Sequence, residues 1–232
     1  MEIKCIASGS SGNSYIIKSS GKTFLIDMGI KVYDIIKALD FNLAQVSFAL
    51  LDHQHGDHSK SVKGIMEAGI DVYMPQDTAT FLGISGHRVK VVEPLKQFDV
   101  AGFQIVGFPL EHDVTNFGYL IYDKQSKEKL LFITDTFYCK YRFSKLNYIM
   151  VECNYSDEIL EKNIKEGTLH PALRNRIKRS HFSLNNVIEF LKASDTSETR
   201  EIMLLHLSSA NSDEALFKKE VEQAIGIPTR VF

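Results

Sequence analysis

Three histidines and an aspartate lie within the six residues His53-Gln-His55-Gly-Asp57-His58, and all four side chains can bind metal ions. Histidine offers a neutral imidazole nitrogen and aspartate offers a hard oxygen. Together they suit zinc, and they are also acceptable to manganese and iron. Packing does not explain such a density of ligands in one short loop. The segment therefore predicts metal binding in preference to a solvated polar turn.

The elements predicted around this loop explain how it can serve two metal ions. The apolar residues 46–51 predict a buried strand that delivers the loop to a sheet edge. His53 and His55 are two residues apart, so an extended backbone points both in the same direction. Asp57 and His58 fall where the next helix begins, and this turn aims them differently. One loop can thus serve two adjacent metal positions.

Hydrophobic patterning predicts strands through the first two thirds of the chain, with helices between and after them. Strands are predicted at 2–7, 14–18, 23–27, 46–51, 71–74, 89–93, 103–109, 118–122, 129–134, 148–152, 201–206 and 228–232. Helices are predicted at 33–39, 59–68, 76–82, 157–179, 183–192 and 213–224. Pro171 should break the fourth helix, and Ser183 and Ser212 are candidate caps for the last two. This alternation favours a layered α/β domain, and 232 residues suit one domain spanning 1–232.

The composition is that of a soluble globular protein, because 44% of residues are hydrophobic and 24% are charged. The net charge of −2 provides no global basic field, although a local patch could still contact nucleic acid. Three cysteines without CxxC spacing indicate reduced thiols. The first residues lack a long apolar segment, and no apolar run reaches membrane-spanning length. We therefore expect a cytoplasmic protein with no membrane partner.

Further candidate ligands end apolar strands or open helices, where α/β sheets commonly place their chemistry. They are His112, Asp135, His181 and His206. Each one alone is better explained as a surface or hydrogen-bonded residue, but together with the 53–58 cluster they favour a two-metal site. The other two histidines, His87 and His170, are expected to be ordinary surface residues.

This ordered pattern resembles that of the metallo-β-lactamase-fold hydrolases over essentially the whole chain. The resemblance implies an α/β fold, a four-layer αββα sandwich with a dinuclear centre at one edge. It also implies a ligand set for each metal ion: His53, His55 and His112 for the first, Asp57, His58 and His206 for the second, with Asp135 bridging the two.

Two more aspartates lie near this pattern. Asp27, which ends an early predicted strand, matches the family's early aspartate, and the resemblance implies that it supports the site without binding metal. Asp52 is a departure, because threonine is common before the first histidine of the motif. It could tune the ligands from outside, but we expect it to face solvent.

Short motifs narrow the branch of the family. The glycine-serine turn 7–14 could bind phosphate through its backbone amides, although such a turn alone is usually just a hairpin connection. Ser180-His181-Phe182-Ser183 precedes a helix, whose N-terminus favours anions. With Glu152-Cys-Asn154 and Leu205-His-Leu-Ser208, these motifs resemble the small single-domain bacterial and phage exonucleases related to ribonuclease Z. The candidate phosphate-binding residues are Ser10, Asn13 and Asn154.

A basic run just before His181 agrees with a phosphodiester substrate, since cations supply affinity for a nucleic acid backbone regardless of sequence. The run consists of Arg174, Arg176, Lys178 and Arg179. A solvated helix face is an equally good explanation for any one of them. The segment 157–179 that carries the run could form a lid or a dimer contact, and the sequence does not choose between these.

The predicted function is that of a dinuclear metal-dependent phosphodiesterase. The enzyme would be a nuclease with a nucleic acid substrate, DNA more than RNA, and only the resemblance implies 5′-directed exonuclease cleavage. Two divalent ions, Zn or Mn, would share a bridging hydroxide. Asp57 would orient this hydroxide or accept its proton, and His181 would protonate the leaving oxygen.

Three alternatives stay open. The first is another hydrolase of the same fold, acting on a thioester, a lactone or a β-lactam. The second is a diiron redox protein, which is disfavoured because that branch commonly has glutamate where this chain has His55. The third is a metal-stabilised nucleic-acid-binding module, which is disfavoured because structural zinc sites use four ligands and leave no open position. The sequence does not indicate the oligomeric state.

Overall fold

The structure is a computed structural model that describes residues 1–232. It divides into two compact units, Met1–Pro109 with Val114–Glu128 and Leu110–Asp113 with Lys129–Phe232. Each unit contains β-strands and helices of its own. The predicted single domain stays a prediction.

The first unit contains a six-stranded sheet whose strands follow chain order. Its strands are β1 (Glu2–Ala7), β2 (Ser14–Ser19), β3 (Lys22–Ile26), β4 (Val46–Leu50), β5 (Val72–Met74) and β6 (Val89–Val91). β1 to β3 pair antiparallel, and β3 to β6 pair parallel. The helices are α1 (Val32–Ala38), α2 (Gly56–Ser59), α3 (Val62–Glu67) and α4 (Gln76–Phe81). Because β3 and β4 are parallel, the residues that follow them meet at one edge of the sheet.

Three further strands of the first unit lie side by side in chain order. They are β7 (Gln97–Val100), β8 (Phe103–Leu110) and β9 (Asn116–Asp123). Hydrophobic patterning did not predict β7, because its four residues include Gln97 and Asp99 and are at most half-buried. Phe24 and Phe48 stack at 4.7 Å, and the edge of Phe103 packs against Phe24 at 5.0 Å. Each buried ring contributes about 1.5–3 kcal/mol to the stability of this core.

The second unit contains four parallel strands in the order β13-β12-β11-β10. They are β10 (Lys129–Ile133), β11 (Tyr148–Glu152), β12 (Glu201–Leu205) and β13 (Thr229–Val231). The helices are α5 (Asp157–Lys165), α6 (Pro171–Ser180), α7 (Leu184–Ala193) and α8 (Glu214–Ile225). The strands are nearly continuous apolar runs, as is usual for parallel strands buried on both faces.

Two predicted helices differ from the observed ones. The helix expected over 59–68 starts earlier, as α2, and is interrupted where the Ser61 amide donates to the carbonyl of Met28 instead of continuing the helix. The helix expected over 157–179 is two helices, α5 and α6. As predicted, the break falls at Pro171, which occupies the first turn of α6, where its missing N–H costs nothing.

The predicted helix caps have mixed outcomes. Ser183 caps α7, because its hydroxyl accepts from the amide of Asn186. Ser212 as the cap of α8 was wrong. The carboxylate of Asp213 accepts from the amide of Leu216 instead, and the Ser212 hydroxyl donates to a carbonyl within the preceding turn. No helix of the structure combines the length and apolarity needed to cross a bilayer.

Candidate metal centre

The ligand cluster of the first unit lies at the carboxyl ends of β3 and β4. Ile26 pairs with Leu50 across these strands, so the residues that follow them come together. The Asp52 amide donates to Asp27 Oδ1 at 3.2 Å. Asp27 adopts a left-handed backbone conformation with φ of 57°. A non-glycine residue is strained there, and such strain concentrates at functional sites.

Two buried carboxylates orient two histidine rings of the predicted ligand loop. His58 Nδ1 lies 2.9 Å from Asp27 Oδ2, and His53 Nδ1 lies 2.9 Å from Asp52 Oδ1. All four residues are fully buried. The ligand atoms of Asp52, His53 and His58 lie within 4.8 Å of one another. His55 Nδ1 is 3.0 Å from His53 Nε2, which brings a third ring of the loop to the cluster.

The expectation that Asp52 faces solvent was wrong, because its exposure is 0%. The buried strand β4 carries it into the sheet edge, where the His53 amide and ring both bind its Oδ1. Its Oδ2 has no hydrogen-bond partner and lies 3.2 Å from His58 Nδ1. Asp52 thus touches two predicted ligands at once.

The pKa values of Asp52 and Asp27 are shifted in opposite directions. Burial raises the pKa of Asp52, but the charges of His53 and His58 lower this pKa by more, so it ends below its ordinary value. Burial raises the pKa of Asp27, and the neighbouring Asp52 charge raises it further. Like charges held this close separate in pKa, and the pKa of Asp52 is the lower of the two.

Backbone contacts clamp the ligand loop from outside. The Asn13 amide donates to the Asp57 carbonyl and the Met28 amide donates to the His58 carbonyl, both at 2.7 Å. A Cβ atom added to Gly29 would lie 1.6 Å from the Asp57 carbonyl oxygen. Only glycine therefore allows this close approach.

The predicted phosphate ligands Ser10 and Asn13 lie in very different surroundings. Ser10 is exposed. Asn13 is fully buried, and its amide nitrogen lies 3.1 Å from the Gly9 carbonyl and 3.0 Å from His58 Nε2. Asn13 thus contacts the metal-ligand loop. Phosphate binding by either residue stays a prediction.

The ligand cluster of the second unit lies at the carboxyl ends of β10, β11 and β12. Glu152 Oε1 lies 2.5 Å from His181 Nδ1 and 3.0 Å from His206 Nδ1. Asp135 Oδ1 lies 2.9 Å from His206 Nδ1. The ligand atoms of these four residues lie within 4.8 Å of one another. Asp135 and His206 have left-handed φ angles of 50° and 53°, the same strained backbone as at the sheet edge of the first unit.

Glu152 was not among the predicted site residues, yet it organises this cluster. Its Oε2 accepts from the amides of Thr136 at 3.0 Å and Phe182 at 3.2 Å. Burial raises the pKa of Glu152, but His181 and the hydrogen bonds of the two histidines lower it by more, so the carboxylate is charged. The available signal was a glutamate that ends an otherwise apolar parallel strand. Such a group has to find partners at the sheet edge.

His181 is charged more readily than an ordinary histidine. Burial lowers its pKa, but the carboxylates of Glu152 and Asp135 raise this pKa by more, and the result lies above the usual value. A histidine in this environment can hold a proton near neutral pH, which is what a general acid requires.

The remaining predicted site residues of the second unit support this cluster. His112 Nδ1 donates to the Ser180 carbonyl at 3.2 Å, and its Nε2 lies 3.9 Å from Asp135 Oδ2. The buried Asn154 donates its side-chain amide to the His206 carbonyl at 2.8 Å, which holds the turn after β12. Phosphate binding by Asn154 stays a prediction.

The residues of both clusters fit divalent metal ions. Metal-binding histidines usually give one ring N–H to a carboxylate, which aims the other nitrogen at the metal. His53, His58 and His206 each have Nδ1 next to a buried carboxylate, so Nε2 is the nitrogen that carries the lone pair. This donor set suits zinc or manganese.

The basic run before His181 is only partly available to a substrate. Arg174 pairs with Glu161 at 2.5 Å, and Lys178 pairs with Asp157 at 2.6 Å. The exposed residues Arg176 and Arg179 have no acidic partner in the structure. His87 and His170 are both exposed, as predicted.

Residues 7–184 match the family model of the metallo-beta-lactamase superfamily, and the chain belongs to this superfamily of metal-dependent hydrolases. The predicted family and the predicted α/β fold class are therefore confirmed.

Its similarity to curated proteins extends over most of the chain. It is 27% identical over 229 residues to "Exodeoxyribonuclease WalJ" of Streptococcus pneumoniae, which covers 91% of this chain and 83% of that protein. It is 26% identical over 242 residues to "Exodeoxyribonuclease YycJ" of Bacillus anthracis, covering 97% and 89%. Both names agree with the predicted nuclease branch.

A solved structure shares the fold. The metallo-beta-lactamase fold protein YhfI from Bacillus subtilis superimposes with a TM-score of 0.74 at 15% identity, covering 99% of this chain and 95% of that one. At this identity the likeness shows the fold alone.

Proposed function

We propose that the protein is a nuclease, a metal-dependent phosphodiesterase that removes nucleotides from DNA, with cleavage directed from a 5′ end. The observation that carries this proposal is the set of histidines held by buried carboxylates at two sheet edges, in a chain similar to two exodeoxyribonucleases.

The proposed metal ligands are those that the family pattern implies. His53, His55 and His112 would hold one divalent ion, Asp57, His58 and His206 would hold a second, and Asp135 would bridge them. Zinc and manganese both suit these ligands. When bound, the ions supply Lewis acidity and an activated water.

The chain's own groups would handle the protons. Asp57 has a side chain that is 26% exposed beside the buried ligand loop, so it can orient water or accept its proton. His181 would donate a proton to the leaving oxygen. The charge of Glu152, 2.5 Å from His181 Nδ1, fixes the ring and keeps it protonated. Glu152 is therefore a positioning residue for the proposed acid.

The proposed substrate contacts are made by two asparagines, a serine and two arginines. The exposed Ser10 would bind a phosphate from the glycine-serine turn, and the buried Asn13 and Asn154 would act near the backbone turns that they hold. Arg176 and Arg179 would contact the DNA backbone, because their charges are not neutralised by α5. We propose DNA as the substrate in preference to RNA because both relatives are named exodeoxyribonucleases.

The test of the metal claim is direct. Purified protein reconstituted with Mn²⁺ or Zn²⁺ should hold about two ions per chain. Asp135→Ala should lose at least one of them and nearly all activity. Asp34→Ala, a change of an exposed aspartate on α1, is the matched control and should retain both ions. Wild-type metal content in Asp135→Ala would rule out the bridging role.

The role of His181 is tested by a second pair of variants. His181→Ala should keep its metal ions and slow cleavage by roughly 10²–10⁴, the usual contribution of a general acid. His170→Ala, a change of an exposed histidine that caps α6, should cleave at the wild-type rate. Unchanged turnover in His181→Ala would remove that residue from the mechanism.

The substrate class is tested by a panel of single-stranded DNA, duplex DNA with labelled 5′ ends, RNA, a thioester and a lactone. The proposal expects release of nucleotides from labelled DNA and no turnover of the esters. Turnover confined to the thioester or lactone would establish the alternative hydrolase. Tight DNA binding with no cleavage in the presence of any of several divalent metal ions would favour the nucleic-acid-binding module.

A further inference from the structure

The second unit contains a cavity outside the ligand cluster, with a volume of about 350 Å³. This volume lies at the lower end of the range for small-ligand pockets. It is lined by Tyr138, Cys139, Arg142, Phe182, Asn186, Glu189, Phe190 and Ala193. We propose that this cavity binds an unpaired nucleobase of the substrate, stacked on Tyr138. This inference rests on the proposed nuclease function and deepens it.

The cavity is formed by two walls. One is the face of α7 that presents Asn186, Glu189, Phe190 and Ala193, spaced three, four and seven residues apart as one helix face requires. The other is the irregular segment 136–147, which begins directly after Asp135 and leads into β11. A helix face opposite an aromatic loop forms a slot that suits a flat ligand.

Both walls are tied to the ligand cluster through one carboxylate oxygen. Glu152 Oε2 accepts from the amide of Thr136, where the loop wall begins, and from the amide of Phe182, where the helix wall begins. Its other oxygen binds His181 and His206. The cavity is thus held at a fixed place next to the group proposed to protonate the leaving oxygen. Phe182, which lines the cavity, directly follows His181 in the chain.

Three of the lining residues, Tyr138, Phe182 and Phe190, are aromatic. Tyr138 is 49% exposed, although large aromatic rings are usually buried. Phe182 and Phe190 are buried and pack with ring centroids 6.1 Å apart. An exposed aromatic ring of this kind is the usual platform on which a base of single-stranded nucleic acid stacks.

The polar groups of the lining favour a base over other ligands. The guanidinium of Arg142 is held by the carbonyls of Cys139 and Tyr141, both at 2.9 Å, so its position is fixed. Glu189 supplies an opposite charge and Asn186 supplies an amide. A lining with one cation, Arg142, and one anion, Glu189, does not favour a phosphate. An acyl chain would be bound without any charged groups. Donors and acceptors around an aromatic slot match the edge of a nucleobase.

The cysteine in the lining provides no competing chemistry. Burial raises the pKa of Cys139 to about 11, so its thiol stays protonated at neutral pH. A protonated, 2% exposed thiol is a poor nucleophile and acts as an apolar part of the wall.

The experiment measures the affinity of the metal-loaded protein for fluorescent single-stranded oligonucleotides by anisotropy. The oligonucleotides carry phosphorothioate linkages at their 5′ ends, which resist cleavage. Each oligonucleotide has either normal bases or abasic sugars at its first two 5′ positions. The variants are Tyr138→Ala, which removes the ring, and Tyr138→Phe, which keeps it. Tyr33→Ala, a change of a tyrosine that is 60% exposed on α1, is the control.

We expect Tyr138→Ala to weaken binding of the normal oligonucleotide roughly 5- to 100-fold, the usual effect of losing one stacked base. Tyr138→Phe and Tyr33→Ala should bind within about twofold of wild type, because ring stacking does not need the hydroxyl. The abasic oligonucleotide should bind wild type weakly and Tyr138→Ala equally weakly, because the two changes remove the same contact.

Two results would overturn the base-binding site. One is equal affinity of wild type and Tyr138→Ala for the normal oligonucleotide. The other is a loss of affinity from Tyr138→Ala that is as large with the abasic oligonucleotide as with the normal one. Cleavage assays on oligonucleotides with ordinary phosphodiester linkages separate this result from the proposed function. If the protein cleaves DNA but Tyr138→Ala has no effect on binding, the base-binding site is refuted and the nuclease function stands. If binding depends on the base and on Tyr138 but no DNA is cleaved, the base-binding site stands and the nuclease function is refuted.

Discussion

Asp123 offers a measurement of one buried charge that belongs to neither ligand cluster. Its Oδ2 accepts from the hydroxyls of Ser19 at 2.5 Å and Ser20 at 2.6 Å. Its Oδ1 accepts from the amides of Gln125 at 2.8 Å and Ser126 at 3.3 Å. The carboxylate therefore ties the β2–β3 turn to the turn after β9, with only 2% of the residue exposed.

The size of this contribution follows from the titration of the group. Burial raises the pKa of Asp123, but the two serine hydroxyls and two backbone amides lower it by more, to about 2. The ordinary value is 3.8. One pKa unit corresponds to about 1.4 kcal/mol, so the charged form contributes about 2 kcal/mol to folding. Because the folded-state pKa is the lower one, this contribution is complete at pH 7 and is lost as the pH falls toward 2.

The perturbation that isolates the charge is Asp123→Asn. The amide keeps an oxygen toward the two backbone N–H groups, and the serine hydroxyls can rotate to accept from its NH₂ group. We expect the free energy of unfolding at pH 7 to fall by about 2 kcal/mol. Between pH 7 and pH 3 the difference between wild type and variant should shrink by roughly 1 kcal/mol, since the unfolded state of wild type binds the proton first.

Urea titrations followed by circular dichroism at several pH values measure both quantities. Asp99→Asn is the control, because Asp99 pairs with Lys124 at the surface and such exposed pairs contribute little. A variant as stable as wild type at pH 7 would refute the reasoning. A difference that stays constant from pH 7 to pH 3 would also refute it, because the loss would then come from packing and not from charge.

Three further outcomes are expected. Glu152→Gln should weaken metal binding at least tenfold, as measured by isothermal titration calorimetry, because Glu152 orients His206. Changes of residues that hydrogen-bond to metal ligands usually lower metal affinity 10–100-fold. Wild-type metal affinity would contradict this. Gly29→Ala should lower the free energy of unfolding by about 3 kcal/mol in urea titrations, since its Cβ would overlap the Asp57 carbonyl oxygen, and wild-type stability would contradict this. Asp52→Thr should stay folded by circular dichroism but bind metal roughly 10–100-fold more weakly, and unchanged metal affinity would show that its buried charge is unnecessary.

The sequence by itself determined the ligand types and most of the elements that carry them. The alternation of apolar strands and amphipathic helices is a local property of the chain. It predicted β4, the break at Pro171 and the cap at Ser183. The ligand loop was recognisable because four metal-binding side chains in six residues have no packing explanation. The family membership followed from these residues and is confirmed.

Only the tertiary structure decided how these residues are held. The burial of Asp52 and its contact with two histidines depend on the parallel pairing of β3 and β4, which no local pattern encodes. The central position of Glu152 depends in the same way on the parallel pairing of β11 with its neighbours. Patterning records which residues are apolar, whereas the partner of a buried charge depends on strand order and register. That is why candidate metal-binding residues and the supporting Asp27 could be proposed from the sequence, whereas the contacts of Asp52 and Glu152 with the histidines could not.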